Sequence, residues 1–259
     1  MEDTKRALVN PWKEPREVRF TQTAPDGSLS LPALADYLQE AASSHAEHLG
    51  FSLADMQKRG VTWVMLKLRV EIDAWPRIHD RVTVETWPSS LDRLYAHRDF
   101  RILDAGGREI VRATTAWVLI DFEKRTPVRI NTFMSELYAG LYGDAEAPRS
   151  MEHTHAKLAL PAEGAHTRPA VVRRADIDMN GHANNAAYVS MLSEALPEAA
   201  VDGLTLREYA VEFKDETYLH EALESRAAVG EEPEGKTVAL GLVRPADGKP
   251  VALGRMKWR

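Results

Sequence analysis

Apolar and polar side chains alternate along several short stretches of this chain, which is the period-two pattern of a half-buried strand. In the stretch 66–72, apolar residues occupy every second position and charged residues lie between them. Similar patterns bounded by turn residues predict three further strands in the first half and four in the second. The predicted strands cover residues 81–87, 95–103, 109–121, 206–214, 219–229, 236–243 and 251–259.

Two longer stretches repeat their apolar residues at helical spacing. The first starts after Ser30, a predicted N-cap, carries Pro32 in its first turn and is expected to end at Gly50. The second covers residues 184–196 and ends before Pro197. Its apolar stripe consists of Tyr188, Met191, Leu192 and Ala195. A long helix lying across an antiparallel sheet gives each half an α+β fold class.

The two halves of the chain repeat each other. Gly248 follows Gly107 by 141 residues, and the same shift relates Trp258 to Trp117. Further pairs at this shift are Val70 with Val211, Glu71 with Glu212, Asp80 with Glu221 and Arg108 with Lys249. One constant shift over several features indicates a duplicated unit of roughly 110–130 residues.

These observations predict a domain organisation. The first unit is expected over residues 1–130, a linker over 131–166 and the second unit over 167–259. The linker is rich in Ala, Glu and Pro and has weak periodicity, so its His153 and His155 are expected to be solvated.

Composition narrows the class of protein. Of the 259 residues, 44% are hydrophobic and 28% are charged, as in an ordinary globular protein. The net charge of -6 argues against a general nucleic-acid binder, which is normally basic. No secretory signal is visible, and no apolar run approaches the ~20 residues that span a bilayer. The chain has no cysteine, which excludes thiolate chemistry, and we expect a cytoplasmic protein.

The chemistry is concentrated in residues 176–188, a segment that opens the second predicted helix. Within this segment lie Asp176, Asp178, Asn180, His182, Asn184, Asn185 and Tyr188. A histidine accepts a proton near neutral pH, a carboxylate orients it and an amide holds a carbonyl group. The segment therefore predicts a site for a small substrate with a polar reacting group.

Most of these residues also have a simpler structural interpretation. Asn180 and Gly181 are typical of a turn, and Asn184 or Asn185 is expected to be an N-cap. Asp176 is expected to be a capping or surface carboxylate. A single histidine such as His182 is more often structural than catalytic.

Other candidate sites are weaker. His45 and His48 are one helical turn apart, but no third ligand at a recognised spacing accompanies them, so we interpret them as surface histidines. No nucleophile elbow, phosphate-binding loop or dinucleotide fingerprint is present. The sequence therefore predicts neither a metal nor a cofactor.

The segment D-x-D-x-N-x-H-x-N-N-x-x-Y at residues 176–188 resembles the acyl-acyl-carrier-protein thioesterases, double hotdog enzymes that release fatty acids from their carrier. The first half resembles the same family at residues 37–42, 60–64, 75–76 and 112–118. The resemblance implies a tandem hotdog fold with an acyl pocket in the first unit and catalysis in the second. It places the catalytic residues at Asp178, Asn180, His182 and Glu212.

Two positions depart from the family pattern. Phe213 stands where plant members often have a cysteine, and Met191 stands where a tryptophan is common. The first change supports water as the nucleophile. The resemblance leaves open whether His182 or Glu212 activates that water. Glu212 also has a simpler interpretation as a strand residue that faces water, like its repeat counterpart Glu71.

The implied reaction is hydrolysis of a fatty acyl thioester carried by acyl-carrier protein, without a cofactor. Backbone N–H groups of residues 181–183 are expected to stabilise the oxyanion. Two alternatives stay open: an acyl-CoA thioesterase, and a non-catalytic hotdog that binds acyl thioesters as a sensor. A homodimer is compatible with either.

Carrier docking would need a local basic patch, because the carrier is usually acidic and this chain is itself negative. Arg173 and Arg174 directly precede the motif and are the better candidates. Arg93, Arg98 and Arg101 form a second group. Any one of the five, taken alone, is more simply a solvated arginine.

Overall fold

The computed structural model describes residues 8–153, 157–161 and 165–259. The chain forms two compact units that each combine distant parts of the sequence. The first unit contains the described residues up to Ser28 together with Tyr37–Leu66 and Ala74–His153. The second contains Leu29–Asp36, Lys67–Asp73 and the described residues after His153.

The elements of the first half are a mixture of strands and helices. They are β1 (Trp12–Glu17), α1 (Leu31–His48), α2 (Leu53–Lys58), β2 (Val61–Ile72), β3 (Arg81–Leu91), β4 (Ala96–Leu103), β5 (Glu109–Asp121), β6 (Pro127–Val128) and α3 (Asn131–Tyr142). Within the first unit, β1, β3, β4 and β5 pair in that order, all antiparallel, and β6 pairs with β5.

The elements of the second half follow the same plan. They are β7 (His166–Val171), α4 (Asn185–Ser193), β8 (Leu206–Phe213), β9 (Ala222–Glu232), β10 (Gly235–Val243) and β11 (Pro250–Trp258). Within the second unit, the last part of β2 pairs with β8, followed by β11, β10, β9 and β7, all antiparallel. Helix α4 packs on β9, β10 and β11.

The predicted helices and strands are confirmed. Ser30 precedes α1 and its hydroxyl accepts from the Ala33 N–H at 3.4 Å, while Gly50 follows the helix with a φ of 79°. The stripe of α4 is fully internal: Tyr188, Met191, Leu192 and Ala195 are all buried.

Five elements were missed: β1, α2, β6, α3 and β7. β1 and β7 contain Pro15 and Pro169, and each pairs with a single neighbouring strand, the position in a sheet that tolerates proline. α3 lies inside the predicted linker, and its Met134 packs in the hydrophobic core of the first unit with Leu119 and Ile130.

The prediction that His153 is solvated is wrong. Its side chain is 10% exposed, and its Nε2 lies 2.9 Å from an Asp99 carboxylate oxygen in β4. The fully buried Asp99 also accepts hydrogen bonds from the Ser89 and Thr114 hydroxyls and from the Ser150 N–H. Burial alone would raise the pKa of Asp99, but these hydrogen bonds outweigh it and lower the pKa. His155 lies outside the described residues.

The segment 157–161 lies against β10 in the second unit. Leu158 is buried, and a Cβ built on Gly241 would come within 2.6 Å of a Leu160 methyl group and 2.9 Å of the Pro161 ring. Only glycine leaves room for this close approach.

His45 is not a surface histidine, so that prediction is also wrong. It is fully buried, with Nε2 2.9 Å from the Val9 carbonyl oxygen and with Nδ1 accepting from the Arg98 guanidinium at 3.0 Å. Burial and the nearby Arg98 charge lower the pKa of His45 to about 3. Arg98 is accordingly not a solvated arginine. His48 is half-buried, its ring 5.3 Å from that of Trp12.

Candidate active site

The motif folds as a short hairpin in front of α4. The Asp178 N–H donates to the His182 carbonyl at 3.1 Å, and the Gly181 N–H donates to the Asp178 carbonyl at 3.0 Å. Gly181 has a φ of 82°, in the left-handed region that glycine adopts without strain. The Asn-Gly pair therefore reverses the chain and brings Asp178 opposite His182.

The Asp178 carboxylate holds Asn180. One oxygen accepts the Asn180 backbone N–H at 2.8 Å, and the other accepts its side-chain amide at 3.3 Å. Asn180 is exposed, so the second amide proton and the amide oxygen point to a ligand or to water. Asp178 is placed to orient Asn180.

His182 is fixed in one tautomer by its own backbone. Its Nδ1 lies 3.2 Å from the Ala183 carbonyl oxygen, which can only accept, so Nδ1 carries the proton and Nε2 is the basic nitrogen. Nε2 lies 4.0 Å from a Glu216 carboxylate oxygen, and the two side chains are 28% and 27% exposed. This separation is too long for a hydrogen bond and is that of an ion pair if His182 takes up a proton.

The segment 215–217 is tied to the hairpin and to α4. The Ala183 N–H donates to the Thr217 carbonyl at 2.9 Å, and the Tyr188 hydroxyl donates to the Asp215 carbonyl at 3.0 Å. The buried Thr217 hydroxyl donates to the Tyr188 oxygen at 2.9 Å. Burial raises the pKa of Tyr188 to about 12, so it stays a neutral donor.

Arg244 braces the same segment from β10's end. Its guanidinium donates to the Asp215 carboxylate at 2.6 Å, to the Glu221 carboxylate at 2.6 Å and to the Glu216 carbonyl at 2.7 Å. The Glu216 backbone is thus held on both sides, which positions its side chain beside His182.

The capping interpretations are confirmed by the geometry. Asn184 is the N-cap of α4, and its side chain accepts the Ala186 N–H at 2.8 Å. Asp176 is a buried capping carboxylate that accepts the Arg173 backbone N–H at 2.7 Å and the Arg173 guanidinium at 3.0 Å. Burial works against the charge of Asp176, but its bonds to Arg173 outweigh burial and lower its pKa.

Glu212 is not brought to the hairpin. The buried residues of β8 alternate with it, and one of them, Phe213, meets the Tyr188 ring of α4 edge-on at 5.7 Å. Strand alternation therefore points Glu212 to the opposite face of the sheet. There its carboxylate lies 2.7 Å from the Lys214 ammonium and 3.9 Å from that of Lys67.

Sequence reasoning missed Glu216. Its neighbours Asp215 and Thr217 make a polar run after a strand, which is typical of a solvated turn. The signal in the sequence was the position of Glu216 shortly after β8. A residue in the loop that follows this strand can lie on the side of α4 and face the motif.

Of the N–H groups expected to form an oxyanion hole, two are already engaged. Gly181 donates within the hairpin and Ala183 donates to Thr217. The His182 N–H makes no hydrogen bond to any residue that the structure describes, and it is the donor of this group that a ligand can use.

The predicted basic groups differ in availability. Arg101 is paired with the buried Glu85, and Arg173 is committed to Asp176. Arg93 and Arg174 are exposed. In the described ranges, no cluster of three or more His, Asp or Glu side chains is arranged to hold a metal ion. Over the same ranges, no helix has the length and apolar character needed to span a bilayer.

Two family models match the chain. The model of the acyl-ACP thioesterase N-terminal domain matches residues 10–138, and that of the C-terminal domain matches residues 161–259. An acyl-[acyl-carrier-protein] hydrolase from Cuphea viscosissima is 25% identical and covers 96% of this chain. An oleoyl-acyl carrier protein thioesterase from Arabidopsis thaliana is 27% identical and also covers 96%. The chain spans 62% of the length of the Cuphea protein and 76% of the Arabidopsis protein.

Two solved structures share the architecture. A 12:0-ACP thioesterase from Umbellularia californica is 25% identical, with a TM-score of 0.83 over 95% of this chain and 93% of that chain. An acyl-ACP thioesterase from Bacteroides thetaiotaomicron is 21% identical, with a TM-score of 0.81 over 95% of this chain and 97% of that chain. The predicted α+β tandem hotdog fold is confirmed.

Proposed function

Because the chain belongs to the acyl-ACP thioesterase family, we propose that it hydrolyses the thioester of a fatty acyl-acyl-carrier protein and releases the free fatty acid in fatty acid biosynthesis. The observation that carries the proposal is the hairpin of residues 178–182, in which the Asp178 carboxylate holds Asn180 and His182 lies beside Glu216. His182 Nε2 and the adjacent Glu216 carboxylate supply a base and a counter-charge for water activation.

In the proposed mechanism, the Asn180 amide and the His182 N–H hold the thioester carbonyl. His182 Nε2 takes a proton from water as the water oxygen attacks the carbonyl carbon. Glu216 stabilises the resulting imidazolium charge across the 4.0 Å gap. The C–S bond then breaks, and the proton returns from His182 to the departing thiolate, whose pKa of about 8.5 makes it a good leaving group.

The proposal gives different roles to the two carboxylates Glu212 and Glu216. The resemblance implies a catalytic role for Glu212, and that role stays a prediction. Glu212 lies on the face of the sheet away from the hairpin and is paired with Lys214. Glu216 lies beside His182, and we therefore favour Glu216 for the role that the resemblance gave to Glu212.

We also propose a division of labour between the halves. The residues from 167 onward carry the catalytic hairpin, while those up to 130 supply acyl pocket and scaffold. This is supported by the first half's equivalent hairpin, which has Ala24, Asp26 and Ser28 in place of the three motif side chains.

The test is a release assay with acyl-acyl-carrier protein and acyl-CoA of matched chain length. We expect higher kcat/KM on the carrier protein. Equal or higher kcat/KM on acyl-CoA would assign the activity to the alternative carrier. Stoichiometric binding without release of fatty acid would instead favour the sensor.

Docking of the acidic carrier is tested at Arg174. Reversal of Arg173 would leave the buried Asp176 without its partner, so Arg174→Glu is the cleaner variant. We expect the variant to have a higher KM than the parent for the carrier-linked substrate, and this difference should shrink as salt is added. For a short thioester without carrier, the KM of the variant should equal that of the parent. An equal loss on both substrates would contradict a docking role.

Two further properties stay predictions. The proteins that it resembles in Cuphea and Arabidopsis are named as chloroplastic, whereas the composition of this chain led us to expect the cytoplasm. Cell fractionation decides between them. A homodimer is tested by light scattering on the purified protein.

A further inference from the structure

In the second unit, one face of the sheet carries a cleft of about 300 Å³. It lies on the side of β8 that points away from α4, the side occupied by Glu212. Its charged lining consists of Lys67, Arg69, Arg255, Lys257, Glu208 and Glu212. Four bases against two acids is a local positive excess on a chain whose net charge is -6. The excess needs an explanation other than overall composition.

The strand register sets out these side chains as a grid. On β8, Ala210 pairs with Arg69 of β2 on one side and with Arg255 of β11 on the other. With neighbouring strands about 4.8 Å apart, the two arginine Cα atoms lie about 10 Å from each other, on either side of Ala210. The small Ala210 side chain therefore leaves a gap that is flanked by two guanidinium groups.

The acids at the cleft are already neutralised. Glu208 lies 3.0 Å from the Lys257 ammonium, and Glu212 lies 2.7 Å from the Lys214 ammonium and 3.9 Å from that of Lys67. Arg69 is bonded to Glu71 at 2.6 Å. Arg255, by contrast, makes no hydrogen bond or ion pair with any side chain in the part of the chain that the structure describes. A guanidinium without a carboxylate, half-buried in a concave site, is a donor group that awaits an acceptor.

We propose that this cleft binds a phosphate dianion, as inorganic phosphate or as a phosphate monoester, at a site separate from the hairpin. Arginine forks donate two parallel hydrogen bonds to an oxyanion. Donors that approach from two sides and from Lys67 match the oxygens of a tetrahedral phosphate, which point in several directions, better than the two coplanar oxygens of a carboxylate. The gap over Ala210 gives such a group room between the two guanidinium planes.

Titration calorimetry of the full chain at constant ionic strength tests the site with inorganic phosphate, phenyl phosphate and dimethyl phosphate. We expect saturable binding of one phosphate per chain and similar binding of the monoester. The diester, with a single charge and two free oxygens, should bind at least about tenfold more weakly, since each charge-assisted hydrogen bond contributes substantially. Equal affinity for the diester, or no saturable binding at millimolar phosphate, would overturn the proposal.

Two variants locate the site. Arg255→Gln removes the unpaired charge, and Ala210→Val fills the gap without any change in charge; each should weaken phosphate binding at least about tenfold. The matched control is Arg226→Gln, which removes an arginine paired with Glu224 at 2.7 Å on the same sheet and should leave affinity within about twofold. Thermal melts check that each variant is folded.

The outcomes separate this site from the proposed function. Binding is read without substrate, so an inactive enzyme can still bind phosphate and an active one can fail to. If Arg255→Gln and Arg226→Gln weaken binding equally, the effect is general charge and the cleft is not a site. If Ala210→Val binds as the parent does, the gap between the arginines is not where phosphate lies.

Discussion

The hairpin before α1 and the hairpin before α4 have the same backbone. In the first, the Ala24 N–H donates to the Ser28 carbonyl at 2.8 Å and the Gly27 N–H to the Ala24 carbonyl at 2.9 Å. The counterparts in the second span 3.1 and 3.0 Å, between Asp178 and His182 and between Gly181 and Asp178. The two glycines have φ values of 81° and 82°.

The side chains on these two supports differ completely. The second hairpin presents a carboxylate, an amide and an imidazole where the first presents a methyl group, a carboxylate and a hydroxyl. The hairpins are 154 residues apart, whereas the strands after the helices are 141 apart; most of this difference arises because α1 has 18 residues and α4 has 9. The comparison teaches that the turn is a scaffold feature of both repeats, and that the proposed chemistry depends on three side chains placed on one of them.

The largest effect is expected at His182. We predict that His182→Ala lowers turnover by at least ~10²-fold, the usual scale for loss of a general base. Ser28→Ala, the matched change in the first hairpin, should alter turnover less than about twofold. Asp178→Ala should lower turnover to a similar extent, because Asn180 loses both of its hydrogen bonds to the Asp178 carboxylate. Single-turnover kinetics on acyl-acyl-carrier protein measures each one. Near-normal turnover of His182→Ala would remove the distinction between the hairpins.

The two carboxylates after the second helix sharpen the comparison next. Glu216→Gln should lower turnover about ten- to a hundredfold, because the charge that stabilises protonated His182 is lost. Glu212→Gln and its repeat counterpart Glu71→Gln should each be mild. The measurement is kcat over a range of pH. A severe loss in Glu212→Gln with a mild one in Glu216→Gln would restore the assignment implied by family resemblance.

The histidines of the two repeats should also differ in acid. His45 has a folded pKa of about 3, below the ~6.5 of an unfolded histidine, so below pH 6.5 the unfolded chain binds a proton that the folded chain does not. The neutral, buried His45 therefore lowers the free energy of unfolding as the pH falls from 6.5 toward 3. The loss between pH 7 and 5 is about 2 kcal/mol.

Urea unfolding at the two pH values measures this loss. His45→Gln should lose less stability between pH 7 and 5 than the parent, while His166→Gln, at an exposed position of β7, should match the parent. The same pH dependence in all three proteins would show that other groups dominate the acid response.

The smallest expected effect is at the two turn glycines. Gly27→Ala and Gly181→Ala each force a left-handed alanine, which costs about 1 kcal/mol, and neither Cβ has a close neighbour within 3.4 Å. The free energy of unfolding should therefore fall equally in both. Turnover should fall only in Gly181→Ala, where the turn sets the distance between Asn180 and His182. Unequal stability losses would show that the two backbones are not equivalent supports.

The sequence predicted most of the regular elements and the turn at Asn180-Gly181, because both depend on residues close together in the chain. Apolar alternation, the Ser30 and Asn184 caps and the Asn-Gly turn are local signals. The strands with Pro15 and Pro169 were lost because proline weakens the local signal for a strand that only tertiary pairing stabilises.

The remaining features depend on contacts between distant residues. Glu216 reaches His182 because Ala183 binds Thr217, and His153 is buried because its segment crosses β4. His45 is buried by Val9 and Arg98, which are far away in sequence. A polar residue in a polar stretch carries no local sign of such a partner, so solvation was the default expectation for the two histidines.

Gly241 gives the segment 157–161 a use as a reporter of native-state motion. Because the missing Cβ leaves room for Leu160 and Pro161, Gly241→Ala should lift the segment from β10 while the strand itself remains paired. Its peptide bonds then become open to a protease in the folded protein, at a rate set by local opening and not by global unfolding. A single methyl group would thus make the packed segment 157–161 susceptible to proteolysis in the folded protein. The slower cleavage of the parent would then measure the free energy with which the segment is held against β10.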